Sequence, residues 1–196
     1  MTTSILLDPP KVWSRSEALT SGCVPRAAGV YAWYFMSLPP LVPGQGCLVR
    51  HGLTLLYVGI APKEPPQNGR KPSSQTLAKR IRYHLRGNAY GSTLRLTLGC
   101  LLAEQLGIEL RRVGSGGRLT FAQGESVLSD WMADNAFVCW VETPSPWELE
   151  AKLISNTCLP LNLDQNRTGA FYETLTLARD YQRRTARSLS VWTRDA

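Results

Sequence analysis

The chain has 196 residues, 43% of them hydrophobic, which favours one globular domain with additions. It carries 22 Lys and Arg against 15 Asp and Glu, a formal net charge of +7. Its start lacks a basic stretch followed by an apolar run, and no apolar run approaches the roughly 20 residues of a membrane span. Five scattered cysteines without a CxxC pair fit a reducing compartment, and we interpret them as small apolar fillers. We therefore expect a cytoplasmic protein without a membrane anchor.

The predicted elements mix strands and helices. Runs rich in Val, Tyr, Trp, Phe and Leu predict strands at 29–36 and 53–60, joined as a hairpin by a long connection dense in Pro and Gly. A polar, Pro-rich loop at 61–75 follows. The remaining elements are predicted as a helix at 76–86 capped near Ser74, a helix at 91–107 between Ser92 and Gly107, a hairpin at 109–121, a helix at 126–135, a strand at 136–143, a helix at 145–156 and a C-terminal helix within 168–190.

This order of elements predicts the fold class and the domain organisation. We expect an α/β protein of the α+β type, with a small central, mainly antiparallel β-sheet flanked by helices. Residues 1–28 are an N-terminal extension, residues 29–165 form the main domain with loop insertions, and residues 166–196 form a basic C-terminal helix that packs on it.

The positive charge is concentrated in the middle of the chain. Between Lys63 and Arg118 there are eleven Lys and Arg residues and three Glu, a local excess of eight (11 − 3 = 8). Such an excess favours a polyanionic partner, DNA or RNA first, over a solvated face without a function.

The helix at 145–156 contains a carboxylate in an apolar stripe. Ser145, Pro146 and Glu148 indicate a capping box with Pro at the first helical position. Helical periodicity places Glu150 in the middle of the apolar arc and Glu148 on the opposite face. Because an apolar environment disfavours a carboxylate unless a cation meets it, Glu150 is a candidate metal ligand or catalytic carboxylate, with a buried ion pair as the alternative.

The helix at 76–86 combines an apolar stripe with basic side chains. His84 lies within the stripe, and Arg80 borders it one turn earlier, so the two can face one point. The planar guanidinium of Arg80 suits a phosphate, whereas His84 alone fits a hydrogen-bonded core histidine equally well. Lys79, Arg82 and Arg86 point away from the stripe and are either solvated or in contact with a nucleic-acid backbone.

The first strand and two glycines define a possible site at the sheet. Alternation along the strand separates two faces, with Tyr31, Trp33 and Phe35 on one and Val30, Ala32 and Tyr34 on the other. Gly29 and Gly59 leave room for the close approach of a backbone or a ligand.

Five short motifs occur in one order: GVY (29–31), YVG (57–59), LAKRIRYHL (77–85), ELEAKLI (148–154) and PLN (160–162). None is specific alone, but the ordered set resembles the GIY-YIG endonuclease superfamily, which includes the incision subunit of bacterial nucleotide excision repair, phage intron homing endonucleases and some type II restriction enzymes. The resemblance implies that both motif tyrosines lie at one catalytic face of a small sheet. It further implies a metal-dependent endonuclease that hydrolyses DNA phosphodiester bonds with one Mg²⁺ or Mn²⁺ ion.

The resemblance also implies roles for individual residues. Tyr31, Tyr57, Arg80, His84 and Glu150 are the implied catalytic residues, and Glu150 is the metal ligand. Tyr31 is slightly favoured for activating the water. Gly29, Gly59 and Asn162 are the implied site-bracing residues. The candidate DNA-binding residues are Lys63, Arg70, Lys71, Lys79, Arg82, Arg86 and Arg95, the last of which is alternatively a surface charge.

Three alternatives stay open at this stage. The chain is either a nuclease or a non-cleaving nucleic-acid-binding module that keeps the fold, although every motif position is filled. Residues 150–152 match the ExK tripeptide of PD-(D/E)xK nucleases, but that tripeptide lies on a strand, and here a helix is predicted. Arg179, Arg183 and Arg187 share one face of the predicted last helix and either contact a phosphate backbone or are solvated.

Overall fold

A computed structural model describes residues 2–20 and 22–193. Over these residues the helices are α1 (Thr2–Leu7), α2 (Arg15–Ala18), α3 (Leu77–Arg86), α4 (Thr93–Leu106), α5 (Gly124–Asn135), α6 (Pro146–Asn156) and α7 (Tyr172–Ser188). The strands are β1 (Gly29–Phe35), β2 (Val49–Arg50), β3 (Leu53–Ala61), β4 (Arg111–Val113), β5 (Arg118–Thr120) and β6 (Ala136–Glu142). The predicted α+β class is confirmed. No helix in the described residues combines the length and apolar character needed to cross a bilayer.

The main sheet has four antiparallel strands in the order β2-β3-β1-β6. β1 is central, and its Tyr31 lies opposite Gly59 of β3 on one side and Trp140 of β6 on the other. A β-bulge shifts the register of β1 against β3 between Trp33 and Tyr34. The short hairpin β4–β5 is separate from this sheet.

Every residue of β1 is buried, and its alternation divides the core as predicted. Tyr31, Trp33 and Phe35 belong to a large apolar cluster with side chains of α3, α4, α5 and α7. Val30, Ala32 and Tyr34 belong to a second cluster with side chains of α1 and α6. The sheet therefore has helices on both faces. Side chains of α3 belong to the first cluster, and side chains of α6 belong to the second.

The segment before β1 covers the outer side of β6. Trp13 exchanges two backbone hydrogen bonds with Val138, at 2.8 and 2.9 Å, and stacks on Trp140 with ring centroids 5.3 Å apart. The Tyr34 hydroxyl donates a hydrogen bond to the Leu6 carbonyl at 2.7 Å. The two Trp13 bonds satisfy backbone groups of the edge strand β6 that would otherwise be unpaired, and the Tyr34 bond holds α1 against β1.

Two predicted helix starts differ in the structure. Thr76 caps α3 through its side chain, which accepts from the Lys79 N–H, so the predicted cap near Ser74 is wrong. Ser145 makes no side-chain cap bond to α6, so the predicted capping box is not formed. Its φ of −116° and ψ of 68° lie outside the extended region from which an N-cap side chain reaches the first turn.

The last helix, α7, packs against α4. Arg179 on α7 is buried, so its side chain is neither solvated nor available to a phosphate backbone. The prediction that it shares an exposed basic face with Arg183 and Arg187 is therefore wrong. Arg183 pairs with Asp180 at 3.3 Å, whereas Arg187 is exposed.

Candidate active site

A cavity of about 620 Å³ lies where β1, β3, α3 and α6 meet. Its lining includes the side chains of Tyr31, Tyr57, Arg80, Glu150 and Asp164. The structure thus brings four of the five predicted catalytic residues to one space. The fifth, His84, lies directly behind Tyr31 and is fully buried.

The pairing of Tyr31 on β1 with Gly59 on β3 explains why β3 has a glycine at this position. A Cβ atom on Gly59 would lie only 2.5 Å from the Tyr31 hydroxyl oxygen, so the phenol ring occupies the place of the missing side chain. Gly29 is constrained by backbone packing, because a Cβ there would lie 2.2 Å from the Val141 carbonyl oxygen and 2.7 Å from a Leu77 methyl carbon. One glycine therefore makes room for a site side chain, and the other lets α3 and β6 approach β1.

Helix α3 is held against the sheet at its first turn. The N–H groups of Leu77 and Ala78, which have no partner within the helix, donate to the carbonyls of Ala27 and Pro25 at 2.9 and 3.1 Å. These bonds join α3 to the segment that leads into β1. They fix the height at which Arg80 sits above the strand.

His84 connects α3 to Tyr31. Its Nε2 lies 2.8 Å from the Tyr31 hydroxyl oxygen, and its Nδ1 lies 2.7 Å from the Ser92 hydroxyl oxygen. Burial, together with the positive charges of Arg80 and Arg95, holds the pKa of His84 well below its usual value. The ring is therefore neutral at neutral pH and fully hydrogen-bonded.

Arg80 is half-buried at the cavity wall. Its Nη1 donates to the Gly91 carbonyl at 2.8 Å, which anchors one edge of the guanidinium. Arg80 also lowers the pKa of Tyr31 through charge and hydrogen bonding. The side chain is thus oriented toward the phenol before any substrate is present.

Both motif tyrosines are deeply buried and protonated at neutral pH. Burial raises the pKa of Tyr31 to about 12, against the opposing effect of Arg80. Burial and the neighbouring Tyr31 raise the pKa of Tyr57 well above its usual value. Ionising either phenol needs additional positive charge in the cavity.

Asn162 fixes the strand that carries Tyr57. Its Oδ1 accepts from the Val58 N–H and its Nδ2 donates to the Val58 carbonyl, both at 2.9 Å. The Leu161 N–H donates to the Leu56 carbonyl at 3.1 Å. The segment after α6 therefore pairs with β3 as a short additional strand would, and Asn162 lies where a bracing role requires it.

Glu150 projects from α6 into the cavity and is half-buried. Burial and the nearby charge of Asp164 raise its pKa to about 7, although Lys63 opposes the shift. Glu150 takes part in no ion pair within the described residues, so the alternative of a buried ion pair is wrong. Glu148 is exposed, as predicted, and Glu150 lies on a helix, which argues against an ExK nuclease.

Most candidate DNA-binding residues are exposed. They are Lys63, Arg70, Lys71, Lys79, Arg82 and Arg86, on the loop before α3 and on the outer face of α3. Arg95 is the exception: it is fully buried, and its Nη2 lies 2.7 Å from Glu125 Oε2. The prediction that it contacts DNA or is a surface charge is wrong, because a buried guanidinium needs a carboxylate partner and has found one.

Two residues at the site lie outside the five motifs. Asp164 lines the cavity near Glu150 and influences its pKa. Its position two residues after Asn162 was the signal that could have pointed to it. Ser92 touches His84, and only its role as the N-cap of α4 was predicted.

A comparison with protein-family profiles matches residues 29–181 to the family described as the GIY-YIG catalytic domain. The chain belongs to the GIY-YIG family. This match covers more than half of the chain and confirms the resemblance inferred from the ordered motifs. The family is one of nucleases, which implies a nucleic-acid substrate, and its members generally use divalent metal ions. No curated protein and no solved structure matches the chain in the corresponding searches.

Proposed function

We propose that this GIY-YIG protein is a metal-dependent endonuclease that hydrolyses phosphodiester bonds in DNA. The observation that carries the proposal is the position of Glu150. This half-buried carboxylate, without an ion-pair partner in the described residues, faces the cavity that holds Tyr31 and Arg80. A carboxylate opposite a phenol and a guanidinium provides the three functions that phosphodiester hydrolysis needs: a metal ligand, an activator of water and a stabiliser of negative charge.

The donor atoms at Glu150 fit one Mg²⁺ or Mn²⁺ ion. Glu150 and Asp164 supply carboxylate oxygens, which hard divalent cations prefer. No group of three or more His, Cys, Asp or Glu residues with metal-site spacing occurs in the described residues. Such a sparse set suits Mg²⁺, which keeps several waters and binds through one or two carboxylates and a substrate phosphate. Glu150 would hold the ion, and a bound ion would supply Lewis-acid stabilisation of the leaving oxygen.

Tyr31 is the residue we assign to the attacking water. Its oxygen contacts His84 and interacts with Arg80 and Tyr57, and both of the latter favour the ionised phenol. Tyr57 lies beside it at the cavity, and we assign to it the hydrogen bond to a phosphate oxygen. Arg80 faces the same space and adds positive charge where the pentavalent phosphate would develop negative charge.

The exposed basic residues support DNA as the substrate. Lys63 lines the cavity, while Arg70 and Lys71 extend from the adjacent loop and Lys79 and Arg82 from the outer face of α3. A basic surface that continues from the site would bind the phosphate backbone on either side of the cleaved bond. Phosphate contacts of this kind favour DNA binding without selecting a sequence.

The test is cleavage of supercoiled, linear and single-stranded DNA with Mg²⁺, Mn²⁺ or EDTA. Glu150→Ala and Arg80→Ala are expected to abolish metal-dependent cleavage. Glu148→Ala, on the exposed face of α6, is the matched control for Glu150→Ala. Arg82→Ala, which removes one of several exposed charges from the outer face of α3, is the control for Arg80→Ala, and both controls should retain most activity. Retention of DNA in a gel without cleavage of any form would overturn the nuclease proposal in favour of a binding module.

A further inference from the structure

Ser92 lies outside the motif set, yet it completes a buried hydrogen-bonded chain behind the site. Its Oγ accepts the Arg95 backbone N–H at 3.1 Å, as the N-cap of α4. The same oxygen lies 2.7 Å from Nδ1 of His84, whose Nε2 lies 2.8 Å from the Tyr31 oxygen. Ser92 and His84 are both fully buried, so water does not take over either contact.

The direction of the Ser92–His84 hydrogen bond follows from counting donors and acceptors. A serine hydroxyl has one proton to donate and two lone pairs that accept, and one lone pair already receives the Arg95 N–H. Within residues 2–20 and 22–193, the Ser92 hydroxyl has no hydrogen-bond acceptor other than Nδ1 of His84. If Nδ1 carried the ring proton, the Ser92 proton would be buried without an acceptor, which disfavours that tautomer. Tyr31 also has a proton to donate, but it lines the cavity, where that proton can meet water, whereas Ser92 is fully buried away from it. The arrangement that satisfies both hydroxyls therefore has Ser92 donating to a bare Nδ1.

We propose that Ser92 is a positioning residue that fixes His84 as the tautomer protonated at Nε2, so that His84 donates a hydrogen bond to the Tyr31 oxygen. A neutral imidazole carries one ring proton, and a bare Nδ1 therefore means a protonated Nε2. The charges of Arg80 and Arg95 face His84 and, with burial, keep the ring neutral, which excludes a cation carrying both protons. Ser92, at the start of α4, thus determines that His84 on α3 donates a hydrogen bond to Tyr31 on β1.

This direction decides how the phenol can act. With Nε2 protonated, His84 stabilises a Tyr31 phenolate and does not accept the Tyr31 proton. When Tyr31 ionises, its proton therefore passes to water in the cavity that Tyr31 lines. The meaning for catalysis rests on the proposed nuclease function, whereas the direction of the hydrogen bond is a property of the resting protein.

The ring tautomer is measured directly by long-range ¹H–¹⁵N NMR of the full chain at neutral to mildly alkaline pH. The chain has two histidines, His51 and His84, so His51→Gln assigns both spectra. His51 is an internal reference, because its Nε2 lies 3.1 Å from the Pro9 carbonyl, which only accepts and therefore requires a protonated Nε2. We expect the same pattern for His84. A His84 ring protonated at Nδ1 would overturn the proposal, whether or not the protein cleaves DNA.

A pair of variants tests the part played by Ser92. Ser92→Gly removes the hydroxyl but keeps most of the capping preference, because Gly is only slightly worse than Ser at an N-cap. We expect a mixture of His84 tautomers and about a tenfold lower cleavage rate, since one hydrogen bond of about 1.4 kcal/mol is lost, and Ser92→Thr should restore both. Thr76→Gly, which removes the comparable cap hydroxyl of α3, should change neither. A Ser92→Gly protein whose His84 is still protonated only at Nε2 would overturn the role of Ser92.

Discussion

The two sides of the cavity differ in how far their polar groups are satisfied by the protein itself. On the phenol side, formed by Tyr31, Arg80 and His84, each group has a protein partner at 2.7 to 2.8 Å. On the carboxylate side, formed by Glu150 and Asp164, no ion pair occurs within the described residues. The helices differ in the same way, because a side chain caps α3 and none caps α6.

The comparison indicates that the phenol side is ordered by the protein itself, whereas the carboxylate side is left to bind a cation. The phenol side is arranged before any ligand arrives, as a site must be if it is to stabilise charge without reorganising. The carboxylate side keeps unbalanced negative charge, which only a cation can offset. Substitutions on either side should therefore remove activity, but those on the phenol side should lower stability and those at Glu150 should raise it.

The largest expected effect comes from Tyr31→Phe, which removes the proposed activator of water. We expect the cleavage rate to fall about 100- to 10,000-fold, the usual contribution of a positioned acid or base. Tyr34→Phe is the matched control, because Tyr34 is a buried, hydrogen-bonded phenol on the opposite face of the same strand. It should lose comparable stability in urea unfolding but keep its cleavage rate. Equal cleavage rates in Tyr31→Phe and Tyr34→Phe would contradict the assignment of Tyr31 to the attacking water.

Gly59→Ala tests whether the phenol side is as tightly arranged as its geometry indicates. The added Cβ would lie 2.5 Å from the Tyr31 oxygen, so the phenol must move or the strand must shift. We expect the free energy of unfolding to fall by about 1–3 kcal/mol, together with most of the activity. Gly117→Ala, where an added Cβ meets no heavy atom within 4 Å, should change stability by less than about 0.5 kcal/mol. An unaffected Gly59→Ala protein would show that the phenol side tolerates displacement.

Glu150→Gln should stabilise the metal-free protein while removing cleavage. Burial raises the pKa of the native Glu150 carboxyl from 4.5 to about 7, so the native state holds more protons than the unfolded state between these pH values. Wild-type stability therefore falls as the pH rises through this window, and the variant lacks that fall. With EDTA present we expect Glu150→Gln to be more stable by about 1–3 kcal/mol at pH 8, a range reduced for solvent screening, and equal to within about 0.2 kcal/mol at pH 4, below the unfolded pKa.

The control for this measurement is Glu148→Gln on the exposed face of α6. Its free energy of unfolding should differ from that of wild type by no more than about 0.5 kcal/mol, because its side chain is exposed. Urea unfolding at both pH values gives the comparison. If Glu150→Gln were less stable than wild type at pH 8, protein groups would already be offsetting the negative charge of Glu150.

The smallest expected effect concerns Lys63, which opposes the raised pKa of Glu150. Because Lys63 is exposed, its charge is screened, and Lys63→Ala should raise the titration midpoint of the Glu150 carboxyl by roughly half a pH unit or less. The midpoint is read from the ¹³C resonance of that carboxyl. Lys71→Ala, in the same loop, should leave it unchanged, and a lower midpoint in Lys63→Ala would contradict the assigned direction.

Local periodicity was sufficient to predict much of the fold. Strand alternation separated Tyr31 from Tyr34, and cap residues located both ends of α4 at Ser92 and Gly107. The ordered motifs then identified the family, and every predicted catalytic residue lies at or directly behind the cavity. Their assigned roles in catalysis are still predictions.

The sequence could not identify the contacts between side chains that are distant along the chain. Arg95 was expected at the surface because its partner, Glu125, lies 30 residues later on another helix. Nine of the 14 residues of α4 are buried, so an arginine on this helix has little solvent to face. The contact between Ser92 and His84 and the closeness of Asp164 to Glu150 likewise depend on how helices pack, which periodicity within one element does not encode.

The Asn162 clamp on Val58 has a consequence for the timing of folding during synthesis. The two residues are 104 positions apart, so β3 lacks this partner while the ribosome makes the intervening chain. Glu150 is also added late, after all the residues of β1, β3 and α3 have been made. A nascent chain therefore contains both phenols and the basic residues before α4 while it still lacks the Glu150 carboxylate. The order of the motifs therefore means that the proposed site is completed only after most of the matched region, residues 29–181, has been made.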